Sequence, residues 1–195
     1  MKLFVLKCFT AFSIMSIMVF CVCGGIQKTL NMKNCEYSYK SVNNVTISNI
    51  NVSKGISVLD TPKILLMLSS LNQSIPLNFL LTLDVKNPNN SEAAFYGMLY
   101  KVIIDGIHFS EGGVDDKFSV APGETKPMSI KIGTDVTELV KNNSKDSVLK
   151  MVKNFIGIGN EKTKVRVELK PKFRIGGQTI TSPTVFPVEF EFGGK

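Results

Sequence analysis

Tryptophan is absent from this 195-residue chain, and there is a single histidine, His108. All four cysteines, Cys8, Cys21, Cys23 and Cys35, fall in the first fifth of the sequence. The rest therefore cannot be a disulfide scaffold. One histidine leaves only one imidazole for a triad or a histidine-bearing metal site, and no glycine-rich loop has Walker or Rossmann spacing. Gly157-Ile158-Gly159 ends a helical pattern rather than opening one. No residue pattern calls for a metal or a cofactor. Nor is there a low-complexity stretch or a clear repeat.

Apolar residues make up 44% of the chain, which points to a packed globule with one core. The formal charge is +7; without Lys2 and Lys7 it is +5. That diffuse excess suits solubility or an anionic surface, and it does not argue for nucleic acid.

The first residues read as an address. Lys2 and Lys7 form a basic start, and Cys8 to Gly25 is an uncharged run rich in Phe, Ile, Met and Val. Short for a spanning helix and ending in small residues, it favours an export signal. Residues 1–23 are taken as a lipoprotein-type signal with Cys23 as the lipidated residue, since the bulky Phe20 hinders processing at Cys21. Ordinary cleavage near Val22-Cys23-Gly24 and an uncleaved anchor are the alternatives. The expected address is the cell envelope of a bacterium, as an outer-membrane or periplasmic lipoprotein, with a soluble secreted or periplasmic form as the alternative. Residues 24–41 read as a polar tether and 42–195 as one domain.

Alternation dominates that domain. In Leu77–Lys86, Phe79, Leu81, Leu83 and Val85 share one face, and Asn87-Pro88-Asn89 must end the strand. Asp105-Gly106 is a two-residue hairpin signal that pairs Ile104 with Ile107 and turns His108 outward. An outward histidine beside Lys101 favours a solvated residue over a catalytic base. Pro122-Gly123 leads into Met128, Ile130 and Ile132, and alternating strands follow around Val165–Phe173 and Phe186–Phe192. A first strand, Val45–Val52, slips phase between Ile47 and Ile50, which reads as a bulge. Asp60-Thr61-Pro62 predicts a helix capped by Asp60 and running to about Leu71. A second helix starts at Ser144 or Asp146, with Val148, Val152 and Phe155 inward. The expectation is a mainly β sandwich of about seven strands with two short helices.

The order LNFLLTLDVKNPNN, MLYKVIIDGIHF, VAPGETKPMSIKI resembles the late-embryogenesis-abundant type 2 domain, also called the water-stress and hypersensitive-response (WHy) domain. The resemblance runs from about Val42 to Phe192 and is best from Leu77 to Ile132. It implies an immunoglobulin-like or fibronectin III-like sandwich linked to stress or desiccation protection, with no catalytic residues to carry over. The Asp60–Leu71 helix and the long leader depart from the plant pattern and look like bacterial exported members.

Three surface features remain. Lys162, Lys164, Arg166, Lys170, Lys172 and Arg174 share one parity, so period two lines them on one face. Such a stripe could meet lipopolysaccharide, anionic phospholipid or another anionic envelope polymer; the favoured reading is a charged outer face that keeps the sheet soluble and discourages edge pairing. Aromatic residues expected of a nucleic-acid platform are missing. Glu111, Asp115 and Asp116 offer oxygens, but without EF-hand spacing, so a solvated hairpin end is favoured over calcium. The predicted first helix is apolar nearly all round, leaving Leu66 and Met67 beyond what packing on a sheet needs. They would be covered by the tether, a second molecule or a membrane. The expected role is a non-enzymatic, membrane-anchored stress or envelope protein; the alternative is a hydrophobic-ligand or lipid-binding module. The oligomeric state is left open.

Overall fold

The computed structural model describes residues 27–194 except Thr29 and Gly176. Eleven strands form three sheets. The first has the order β2-β1-β3-β8, with β1 Glu36–Ile47, β2 Ile50–Asn51, β3 Pro76–Lys86 and β8 Thr125–Asp135. The second has the order β10-β9-β5-β6, from β5 Gly97–Ile104, β6 Ile107–Val114, β9 Thr163–Ile175 and β10 Gln178–Thr181. β11, Phe186–Phe192, pairs with the first half of β9, along the edge whose second half carries β10. A small ribbon joins β4 Ala93–Phe95 to β7 Phe118–Val120. Every paired strand in the two large sheets is antiparallel. The seven expected strands are present, and the additional ones are the short β2, β4, β7 and β10.

The two large sheets close on each other along both edges. On one edge Tyr39 stacks on Phe190 with centroids 4.0 Å apart, and Tyr37 leans on Phe186 at 5.2 Å. On the other, Tyr100 Oη donates to the Lys131 carbonyl and Ser110 Oγ donates to that of Gly133. Tyr100 needs room for this reach. Its ring lies across Gly112, where a Cβ would sit 2.6 Å from the hydroxyl oxygen. Between the sheets, the inward residues of β3, Leu77, Phe79, Leu81, Leu83 and Val85, are all buried.

Three helices, α1 Asp60–Ser70, α2 Val136–Asn142 and α3 Lys145–Phe155, gather at the end of the sandwich where β3 begins and β8 finishes. A core of rings fills that end: Phe155 lies 5.0 Å from both Phe79 and Phe192, and Phe79 lies 5.7 Å from Phe109. The chain end tucks in beside them. Gly193 has φ +75°, and a Cβ there would collide with the Asn154 carbonyl at 2.2 Å, so only glycine passes.

Several local readings are corrected by this geometry. Residues 36–41, assigned to the tether, form the first half of β1, because Tyr37 and Tyr39 supply the alternating apolar surface. Ahead of them, residues 30–33 are helical, with Met32 fully buried. The phase slip between Ile47 and Ile50 is a reversal, not a bulge: Ser48 and Asn49 both have positive φ and close a tight hairpin. Asp60 does not cap α1. Ser57 Oγ accepts from the Asp60 amide and donates to its carboxylate, while Leu59 occupies the cap position. α2 was not foreseen; Asp135 caps it by accepting from the Thr137 amide at 2.9 Å.

Candidate functional site

The basic residues of β9 lie on the outer face of the second sheet, alternating with buried Val165, Val167, Leu169 and Phe173. Cross-strand register decides what they meet. Glu168 on the same strand and Glu189 on β11 both hold Arg166, at 3.1 and 3.2 Å. Lys164 stands opposite Glu191, and Lys172 donates to Asp115 at 2.7 Å. On the β5 side, Lys101 stands between Glu168 and Glu111. Lys162, Lys170 and Arg174 have no carboxylate within ion-pair distance among the described residues. The sequence stripe is therefore one row of an interlaced charge lattice, in which Arg166 and Lys172 are ion-paired and Lys162, Lys170 and Arg174 are not. Exposed pairs of this kind each contribute about 0–1 kcal/mol, so their main effect is to keep a broad sheet face wet.

His108 sits on this face, half exposed, with Glu111 3.6 Å away. Among the described residues Glu111 is the one acidic group at ion-pair distance from it. Asp115 is engaged by Lys172 and Glu111 faces His108, so the acidic residues of the hairpin end are spread rather than converged. Among the described residues no three His, Cys, Asp or Glu side chains gather as metal ligands. Cys23 lies outside the described residues.

The helix-capped end carries a different surface. α1 is held by Ile64 and Leu68, both buried, with Met67 and Leu71 packed alongside. Leu66 is 70% exposed, so of the two residues expected to be left over, Leu66 stands clear and Met67 leans on the core. Val58 and Leu59, in the turn before the helix, are 89% and 80% exposed, and Leu65 is exposed as well. Sequence reading missed Val58 and Leu59 because they precede the helix; their spacing of seven from Leu65 and Leu66 was the available signal. Beside the first turn of α1, which contributes Thr61, opens a cleft of about 470 Å³, with Val45, Val52, Ile56, Phe155, Ile158 and Phe192 among its walls.

The opposite end is built on asparagines. Asn87, fully buried, donates through Nδ2 to the carbonyls of Ser91, Val120 and Ala121. Its Oδ1 accepts from both nitrogens of Asn89. Asn89 Nδ2 also donates to the Asn31 carbonyl, and Asn31 Nδ2 reaches Ser91 and Glu92. Lys28 pairs with Glu92. Lys28 and Asn31 are thus stapled to the end of β3 and the residues just after it. Asn87-Pro88-Asn89 ends the strand as expected, but its role as a three-way junction depends on partners more than thirty residues away.

A sandwich closed by paired edges, with a solvated charge lattice outside and a polar junction at one end, defines a mainly β protein of the sandwich class. A family model described as late embryogenesis abundant protein matches residues 82–189, and the chain belongs to that family. Membership suggests a stress-related protein without enzymatic activity. No curated protein matches the chain. Among solved structures, an Archaeoglobus fulgidus protein is 18% identical with a TM-score of 0.40, covering 80% of this chain and 98% of its own. An Arabidopsis thaliana protein solved in solution is 11% identical, TM-score 0.45, covering 80% and 81%. A solution structure named as a late embryogenesis abundant protein is 14% identical, TM-score 0.41, covering 95% and 87%.

Proposed function

We propose that this chain is an exported, membrane-anchored, non-enzymatic protein of the water-stress and hypersensitive-response type, acting in stress or desiccation tolerance at a bacterial cell envelope. The observation that carries this reading is the staple of Asn31, Asn87 and Asn89, which fastens the family domain to the residues just after the leader. From Cys23 to Gln27 is four residues, at most about 14 Å of extended chain. A lipid on Cys23 would hold the Asn87 end of the sandwich against the membrane, and the charge lattice would face the envelope polymers around it. The test is fractionation followed by intact-mass measurement. The expected result is a membrane-bound chain beginning at Cys23 with added acyl mass; a soluble chain without acyl mass would overturn the anchor. Retained activity of a marker enzyme dried with the purified chain tests the protective role.

The cleft beside the start of α1 favours a second reading, a module that holds a hydrophobic ligand or lipid. Its volume falls in the range of small-molecule sites, and aromatic rings form part of its wall. Solvent extraction of the purified protein and mass spectrometry should then yield a lipid at near-stoichiometric amount.

A further inference from the structure

We infer that the outer face of α1 and the turn before it form a docking surface for an anionic phospholipid bilayer. Pro62, Leu65 and Leu66 recur at spacings of three and four on one arc of α1, and the exposed Val58 and Leu59 lie in the turn that leads into it. Ile64 and Leu68, on the opposite arc, fix the helix to the core. The element is therefore apolar on two opposed sides, and only one of them is used inside the fold. This face protrudes rather than lining a groove: Val58 and Leu59 are nearly as exposed as in an extended chain.

Two observations select a bilayer as the occupant. The first is size. A stable protein interface takes about 20–30 residues a side, and an apolar arc on an 11-residue helix falls far short. A bilayer requires neither area nor shape complementarity, only apolar side chains that reach the acyl boundary. The second is the flanking charge. Lys54 precedes the turn, and Lys145 donates to the Ser69 carbonyl in the last turn of α1. Neither has a carboxylate within ion-pair distance among the described residues. Lys63, between Pro62 and Ile64, is mostly exposed with its only carboxylate, Asp60, at 3.3 Å. Apolar side chains flanked by exposed lysines match an anionic headgroup layer. The surface lies at the far end of β3 from the Asn87 junction, about 35 Å away at strand rise. It is thus separate from any anchor at Cys23: a chain anchored there would present this face to a second, apposed bilayer, and an unanchored chain to any anionic bilayer.

The test places an environment-sensitive fluorophore at Leu66→Cys in the full chain, with Cys8, Cys21 and Cys23 replaced by serine. A control chain carries the label at Lys170→Cys on the sheet face. Both are mixed with an excess of phosphatidylglycerol-containing vesicles bearing doxyl-lipid quenchers. The expected result is blue-shifted, quenched emission at position 66 and aqueous emission at position 170. Leu59→Ser should lower the vesicle partition coefficient, read from a lipid titration of the quenching, roughly tenfold, the equivalent of one buried leucine. Lys54→Glu with Lys145→Glu, which leaves the apolar face intact, should lower it about fivefold per lysine at low salt. Aqueous emission at position 66 in vesicles would overturn the proposal. So would a shift that occurs without vesicles and tracks dimer formation in sedimentation, or quenching that neither variant reduces.

Discussion

Asn87 is buried among carbonyls, and its side chain is why the end of β3, the β4 approach and the Pro122-Gly123 turn meet at one point. Its backbone joins the same junction, donating to the Glu124 carbonyl and accepting from the Gly123 amide. Removing the side chain leaves buried carbonyls short of a donor, each worth about 1–3 kcal/mol unsatisfied. Asn87→Ala should therefore lower stability by roughly 3 kcal/mol, read as a reduced urea midpoint with an unchanged slope. Tyr37 is the converse case. Its hydroxyl is buried with no partner, and burial, helped by the neighbouring Cys35 thiol, pushes its pKa well above the usual phenol range. Tyr37→Phe removes a polar atom that makes no hydrogen bond and keeps the ring on Phe186. Stability should stay level or rise by up to about 1 kcal/mol, and a clear loss in thermal unfolding would contradict the unpartnered hydroxyl.

At the scale of elements, α2 is held by one aspartate. Partial burial works against ionisation of Asp135, but hydrogen bonds from Ser74, Thr137 and the amides of Ile75 and Thr137 outweigh it and bring its pKa to about 2. Because the folded value lies below the usual 3.8, its stabilisation is complete above about pH 5 and is lost as pH falls through 3.8 towards 2. Asp135→Asn keeps a cap acceptor and removes the titration. Its stability should be lower by about 1 kcal/mol at neutral pH, a figure reduced for solvent screening, and should lose this part of the acid slope. Chemical denaturation from pH 2 to 7 measures both. The same element shows where sequence reading stops. β3 and the Asp105-Gly106 hairpin were legible because period two and a turn dipeptide are local signals. A capping aspartate before a seven-residue helix is short and ambiguous, and a slip of three positions fits a hairpin at Ser48-Asn49 as well as a bulge. The parity of the β9 lysines was equally local. The pairing of Arg166 and Lys172 was not, since Glu189 and Asp115 join that face only through register and fold.

For the whole molecule, the sandwich separates three surfaces: a polar junction at one end, an apolar helix at the other and a charge lattice along the sheet between them. Long-range attraction to an anionic surface acts on net charge within about 10 Å at 0.1 M salt, and the lattice offers alternating signs over that distance. Free lysines beside an apolar face act together with burial, whereas lysines and arginines opposite glutamates cancel. Replacing Lys164, Arg166 and Lys170 by Glu should therefore change the salt-dependent part of binding to anionic vesicles by less than about threefold. The fold should persist, because these side chains are exposed and their partners are in water. Co-sedimentation at 0.05 M and 0.3 M salt distinguishes the cases. A loss of tenfold or more at the lower salt, with circular dichroism unchanged, would make the sheet face the lipid-contacting surface. In that event the row of cations on β9 would act as a patch despite Glu168, Glu189 and Glu191 beside it.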